Sequence, residues 1–443
     1  MGFSRVSGRG AILVKDMAQP TVPAVSPLDA PPRAVWVRIV NGLGRGLQRL
    51  GVRPGPIDPE RLMDRARRRA RLDDFGDDGF QEPLGILARS LETEAELHPL
   101  GRVFAREILT RLLVNRLLCQ HLWTRHPEIL DVPVSRPLIV AGMPRSGTTL
   151  LHRLLALEPS GRPLLFWESL WPAPPPTPET RESDPRLVQA RRLVTMLDQV
   201  APEFVAGHEI LADGPEECNG LFQQTFEHVI YGFQFRVPSY MEWLEARDMT
   251  EPYRYYKKLL QLLGWRYPTE RWVLKAPAHT FFLDTLLATL PDARVVLLHR
   301  DPLRVIPSLC RLCAGFRRVT SDVLDPFALG TNFVEVIARA FEKALEVLAR
   351  DTSGRILPVA YDDLLADPVG TVNRINRSFQ IPSDAATDER VRGWLAANPQ
   401  HKRGVHRYRL EQFGLTPEAV NERFAFYREW VGSWSAQGSG KSG

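Results

Sequence analysis

Pro137-Leu-Ile-Val-Ala-Gly-Met-Pro-Arg-Ser-Gly-Thr-Thr149 joins a short apolar run to a glycine-containing loop, and the residues that follow, to Leu157, keep helical spacing. Strand, loop and helix in that order gather backbone N–H groups and the positive end of a helix dipole around one point, which is the design of an anion site. Gly142 and Gly147 have the separation found in a nucleoside-triphosphate loop, yet Thr148 stands where such a loop carries its lysine. A triphosphate would lose its main cation here.

The same grammar repeats downstream. Arg271-Trp-Val-Leu-Lys275 reads as a strand leading to a helix from His279 to Leu290, and Ala293 to His299 as a strand leading to a helix from about Leu303. Arg355 to Tyr361 is a fourth strand, with a helix around Val369 to Phe379. Strands alternating with helices imply right-handed crossovers and a parallel sheet, so the expected fold is three-layer α/β with helices on both faces. More than a hundred residues separate the first two strands, and an insertion of that size, about 160–270, is expected to recognise substrate.

Open sheets of this kind bind ligands at the carboxyl ends of their strands. Arg145, Lys275 and Arg300 all fall at that edge, and Ser308 lies about two helical turns beyond Arg300. Three fixed cations can neutralise a multiply charged anion without a metal. The alternative is three surface basic residues paired with acids. No strand ends in an acid placed to hold magnesium, and in His299-Arg-Asp-Pro302 the position of a kinase's metal-binding asparagine is Ile306. Asp301 is expected to be an orienter or a cap of the helix after Pro302.

Seven of the 57 basic residues are lysines (15, 257, 258, 275, 343, 402, 441), the bias of GC-rich coding. Lys275 stands alone between Lys258 and Lys343, which draws attention to it.

These stretches, together with YDDLLADPVGTVNRI from Tyr361, resemble the PAPS-dependent sulfotransferases, in the branch that includes tyrosylprotein sulfotransferases and many bacterial small-molecule enzymes. The resemblance runs in order from about Arg136 to Phe379. It implies that Arg145, Ser146, Gly147, Thr148 and Thr149 hold the 5′-phosphosulfate of 3′-phosphoadenosine 5′-phosphosulfate (PAPS), and that Arg300 and Ser308 bind its 3′-phosphate. It implies no metal. It also implies that Arg145 contacts the reacting group and that Lys275 stabilises charge on the transferring sulfuryl group, for which a compact ammonium suits better than a rigid guanidinium. The catalytic base of the tyrosylprotein branch is a glutamate shortly after the first helix, and Glu168 in RPLLFWESL is nearest to that position. His208, Glu216 and Glu217 are rivals for the base; each also fits a polar residue on a loop or at a helix start. Lys402 and Arg403, in a basic loop before a last helix from Thr416 to Trp434, are expected to close over the nucleotide or to be a solvated charge run.

The rest of the composition bounds the reading. The chain has 443 residues, 44% hydrophobic, enough for a sizeable core. Three regions are expected: 1–75, a partly disordered extension carrying an amphipathic helix; 76–135, a helical lead-in; and 136–443, the catalytic domain. The amphipathic stretch AVWVRIVNGLGRGLQRLGV suits a helix packed on the body, with a membrane-surface or partner-binding role as the alternative. ERLMDRARRRARL suits a solvated helix face, since no aromatic or groove-reading partners accompany it as nucleic-acid binding would require. With no long apolar window and no leader-like start, the expectation is a soluble, cytoplasmic chain. Four cysteines form no disulfide framework, and Cys310-Arg-Leu-Cys313 suits core packing better than a metal. The closing SAQGSGKSG reads as a flexible tail.

The expected activity is therefore sulfuryl transfer from PAPS to a hydroxyl of a small or lipid-like acceptor. A kinase or ATPase on the same fold and a non-catalytic nucleotide-binding protein are the alternatives. Phe222, Phe226, Tyr231, Phe233, Phe235, Tyr240 and Trp243 suggest an apolar acceptor pocket or, equally, core packing. Neither the acceptor's identity nor the oligomeric state is written in these motifs.

Overall fold

In a computed structural model, residues 33–52, 55–399 and 409–439 are described. Five parallel strands form one sheet in the order β2-β3-β1-β4-β5. They are β1 (Leu138–Gly142), β2 (Gly161–Pro163), β3 (Arg271–Lys275), β4 (Arg294–His299) and β5 (Ile356–Ala360). Four of these are the strands read from the sequence, β3 with the same bounds and the other three shifted at their ends by a residue. β2 was not anticipated, because Gly-Arg-Pro carries no apolar run to announce a strand.

Burial on both faces explains the apolar character of β1 and β4. Ile139, Ala141, Val295 and Leu297 join one core, while Leu138, Val140, Val296 and Leu298 join another on the opposite side of the sheet. That is the period-two alternation of a sheet covered twice. From β1 the chain builds β3 on one side and β4 on the other, so the carboxyl end of β1 is the point where the crossovers diverge.

Four helices precede the sheet: α1 (Val35–Arg49), α2 (Pro59–Ala70), α3 (Gln81–Thr93) and α4 (Pro99–Arg125). α2 buries Leu62, Met63 and Ala66 and turns its arginines outward, where Arg65 and Arg69 share Glu107 and Arg67 pairs with Asp64. This is the solvated face expected. After β1 comes α5 (Thr148–Leu155). The insertion, apart from β2, is helical: α6 (Phe166–Leu170), α7 (Pro185–Val200), α8 (Pro202–Gly207), α9 (Asn219–Phe222), α10 (Ile230–Gln234), α11 (Pro238–Glu245) and α12 (Thr250–Trp265). β3 leads to α13 (Leu283–Thr289) through a 3-10 turn at Pro277–Phe282, and β4 leads to α14 (Pro302–Arg317) and α15 (Pro326–Arg350). β5 is followed by α16 (Tyr361–Ala366), α17 (Pro368–Ser378) and α18 (Ala385–Ala397).

The expected last helix is two, α19 (Pro417–Arg423) and α20 (Ala425–Ser439), and α20 runs into the stretch read as a tail. The expected disorder before Arg33 lies outside the described residues. Asp301 does cap α14, accepting from Leu303 N at 3.0 Å. Cys310 and Cys313 are buried in the core, where burial pushes the Cys313 thiol up to about 12.

Candidate active site

The loop after β1 is held by backbone constraints that the sequence forces. Gly142 has φ +123°, and a Cβ there would stand 2.0 Å from the Leu298 carbonyl of β4; only glycine lets the two strands meet at this bend. Thr280 locks the bend, since its hydroxyl accepts from Gly142 N at 2.8 Å and donates to Gly142 O at 3.0 Å. Ser146 donates to Met143 O at 2.5 Å and closes the loop on itself. Arg145 adopts φ +65°, a conformation that a non-glycine residue holds only when its surroundings fix it. They do: its Nε donates to Ser308 Oγ at 3.1 Å, its Nη1 donates to Gly207 O at 2.9 Å, and its carbonyl accepts from Arg300 Nη1 at 3.0 Å. Arg145, Arg300 and Ser308, from three separate elements, thus converge around one loop residue. The Arg300 guanidinium also lies 4.0 Å over the Tyr361 ring, at the start of α16.

Lys275 ends β3 and is almost wholly buried. Its Nζ lies 2.6 Å from Glu217 Oε1, 3.9 Å from Glu216 Oε1 and 3.4 Å from Thr149 Oγ1 at the start of α5. The two glutamates are brought there by an isolated bridge between Leu165 and Pro215 and by the bond from Cys218 N to Lys275 O at 2.9 Å. His208 Nε2 sits 3.5 Å from Glu216 Oε1. Burial alone would raise the Glu216 carboxyl, but the contact and charge of His208, followed by the charge of Lys275, outweigh it and hold it well below the usual range. His208, Glu216 and Glu217 have ligand atoms within 4.8 Å of one another, and the Lys275 ammonium lies against both carboxylates of that group.

Above this cluster opens a cavity of about 370 Å³, within the usual range for small-molecule sites. Its floor is polar, with Arg145, Thr149, Glu216, Glu217 and Arg300, and its walls include Phe166, Phe204, Phe233, Phe281, Leu312 and Phe316. Phe204 and Phe316 stack at 4.3 Å. His228 also lines the cavity and stacks on Phe222 at 5.2 Å. Burial, then the neighbouring His279, holds His228 down at about 3.

Glu168 stands elsewhere. It is fully buried at the start of α6, its Oε1 2.6 Å from Arg162 Nη2 of β2, and its Oε2 accepting from Leu165 N at 3.0 Å. Arg162 in turn donates to Leu263 O and Tyr267 O and lies over the rings of Tyr267 and Trp272. This carboxylate therefore joins β2 to the end of α12 and is not part of the cavity wall. The aromatic expectation also shifts. Of the seven rings singled out in the insertion, Phe233 alone lines the cavity, while Phe222, Phe226, Tyr231 and Tyr240 are fully buried core. The other wall residues come from α6, α8, the turn after β3 and α14, whose approach is a tertiary event with no local pattern. Tyr361 was passed over too, although it stands just past a strand on the sheet's carboxyl edge. Lys402 and Arg403 lie outside the described residues.

The profile of the sulfotransferase family matches residues 137–385, more than half of the chain and all five strands. The chain belongs to the sulfotransferase family. Solved sulfotransferases share its fold. STF1 of Mycobacterium tuberculosis is 36% identical, with 83% of this chain and 98% of that chain covered and a TM-score of 0.74. STF9 of Mycobacterium avium is 32% identical, over 84% of this chain and 95% of that one, with a TM-score of 0.76. A curated relative, the omega-hydroxy-beta-dihydromenaquinone-9 sulfotransferase Stf3 of Mycobacterium tuberculosis, is 26% identical over 306 residues, 65% of this chain and 73% of its own length. The chain is thus a sulfotransferase enzyme, with the loop, Lys275 and the cavity as its candidate active site.

Proposed function

We propose that this sulfotransferase carries the sulfuryl group of PAPS to a hydroxyl of a lipid-like acceptor, by in-line displacement and without a metal. The observation that carries the reading is the Lys275–Glu217 pair, lying between the anion loop and an apolar cavity. The loop of residues 145–149 would hold the 5′-phosphosulfate, and Arg300 with Ser308 the 3′-phosphate. The acceptor oxygen attacks sulfur, the bond from sulfur to the 5′-phosphate oxygen breaks, and charge collects on the leaving adenosine 3′,5′-bisphosphate. Lys275 and Arg145 are placed to stabilise that charge.

The proton of the acceptor hydroxyl goes to Glu217. With the donor bound, Lys275 turns toward the sulfuryl oxygens and leaves the Glu217 carboxylate to accept the proton; Glu216, bonded to His208, keeps the local charge balanced. Glu168, engaged with Arg162, is not the base. The apolar walls, and a relative that acts on a hydroxylated menaquinone derivative, support a lipid-like acceptor. The cations already facing the loop perform the neutralisation that a metal would otherwise supply.

Thermal stability in the presence of adenosine 3′,5′-bisphosphate or ATP–magnesium tests the donor, because a ligand of the native state raises it by mass action. The bisphosphate is expected to stabilise the protein; stabilisation by ATP–magnesium alone would overturn the reading. Chelation with EDTA should leave turnover unchanged. A loss restored by a divalent cation would instead make His208, Glu216 and Glu217 metal ligands.

A further inference from the structure

α1 is amphipathic in an unusual way: both of its faces carry apolar side chains, and only one is covered. The covered face holds Val37 and Asn41, both buried, with Gly44 packed so tightly on Pro99 that a Cβ there would meet its ring at 2.5 Å. Asn41 Oδ1 accepts from Leu100 N at 3.0 Å, and Arg33 and Arg45 both pair with Asp322. These contacts fix the helix on the body. The other face presents Val35, Ile39, Leu43, Leu47 and Leu50, with Leu43 66% and Leu50 81% exposed. Trp36, Val40 and Val52 are exposed beside them, so eight of the fourteen exposed large apolar side chains among the described residues lie within eighteen positions. Contiguous exposure of this kind marks a docking surface.

We infer that this face of α1 docks on the surface of an anionic lipid bilayer. Charge complementarity selects that occupant. From Arg33 to Val52 there are four arginines and no acidic residue; Arg33 and Arg45 share Asp322, and Arg38 and Arg49 are exposed along the border of the apolar face. Aliphatic side chains and a tryptophan on a fixed helix, bordered by arginines, are the features of a helix lying at the headgroup boundary. Position in the fold agrees. Val37 belongs to the same apolar cluster as Phe166, Leu170 and Phe204, which line the active-site cavity, and Trp36 donates to Gln199 of α7 at 3.2 Å. Docking through α1 therefore brings that wall of the cavity close to the bilayer, where a lipid-like acceptor resides. This last step rests on the proposed function; the docking itself does not.

The test uses the full chain and vesicles, with no donor or acceptor present. Co-sedimentation should show binding to vesicles of phosphatidylcholine and phosphatidylglycerol in equal parts, and binding weaker by about tenfold or more to phosphatidylcholine alone or at high salt. The exposed double substitution L43E/L47E should lower binding to the anionic vesicles by about tenfold or more while leaving the melting temperature and turnover of a water-soluble acceptor unchanged. Absence of vesicle binding, or equal binding by the variant, would overturn the inference. All four native cysteines are buried, so an environment-sensitive dye on Leu43→Cys reports this face alone. Its emission should shift only when vesicles are added. A shifted emission without vesicles would mean that another part of the chain, or a second copy if light scattering shows a dimer, covers the face, and would equally overturn the inference. Failure of the variant to lose lipid turnover, with vesicle binding lost, would strike the acceptor assignment and leave the docking intact.

Discussion

A buried ammonium persists only with an anion beside it, and Lys275 has two. In the proposed mechanism the anions line the cavity while the ammonium sits behind them beside Thr149, so an arriving sulfuryl group would compete for a cation already in place. Lys275→Ala is expected to lower kcat by about 10²–10³, the usual effect of removing a stabiliser of transition-state charge, with much less change in bisphosphate affinity. Steady-state kinetics at saturating donor, set beside bisphosphate titration, separates the two; a kcat within a few-fold of wild type would refute the role. Glu168→Gln should act in the opposite sense. It leaves the Arg162 guanidinium buried without its counter-ion, and breaking such a pair costs about 3–5 kcal/mol. Urea unfolding should show that loss, while kcat measured well below the new melting temperature stays near wild type. Glu168 stands off the cavity because family spacing fixes where a residue falls along the chain, whereas one helical turn of α6 decides that it faces Arg162. Glu217 reaches Lys275 across 58 residues of chain, beside a strand-like bridge at Pro215, and nothing local in GPEE announces it.

At the level of elements, the anion loop is a junction of β1, β4, α5 and α16 that glycines permit. Gly147 has φ +87°, and a Cβ on it would stand 2.8 Å from the Tyr361 ring, the same ring that supports Arg300. Gly147→Ala therefore strains the loop by about 1–3 kcal/mol and pushes the Arg300 platform outward. We expect bisphosphate affinity to fall by about tenfold or more, measured by calorimetry on a variant whose far-ultraviolet circular dichroism is unchanged. Unaltered affinity would show that Tyr361 and Arg300 do not form part of the nucleotide site. The strands that carry this junction were readable because β1, β3 and β4 are buried on both faces and appear as apolar runs ending in Gly142, Lys275 and His299, while the edge strand β5, only partly buried, is still an apolar run that stops at Tyr361. The insertion was readable only as an insertion. Its helices α7, α8 and α11 each begin with a proline at the first position, a start signal without a partner signal, so their existence is local information and their packing around the cavity is not.

Across the whole molecule, the histidines set how the fold responds to acid. Five of the eight described histidines are buried and held low. Burial, the largest cause in each, brings His98 and His299 to about 4 and His152, His228 and His279 to about 3. In the unfolded chain each titrates near 6.5, so below that pH the unfolded state binds protons that the folded state refuses. Stability is therefore fully present above about pH 6.5 and is lost as pH falls toward the folded values, each such histidine contributing up to about 1.4 kcal/mol per pH unit. The depressed Glu216 adds to the loss only later, as pH falls below its ordinary 4.5. Acid sensitivity should thus begin one to two pH units before the carboxylates titrate, with the melting temperature falling steeply between about pH 6.5 and 5. Calorimetry across that range checks it, and a flat profile down to pH 5 would refute the assignment of neutral buried rings. Activity will fall over the same interval. Because the cause is protonation of the unfolded chain, with Glu216 still ionised, the loss should diminish when assays are run well below the melting temperature, and bisphosphate, by binding the native state, should move the acid limb to lower pH.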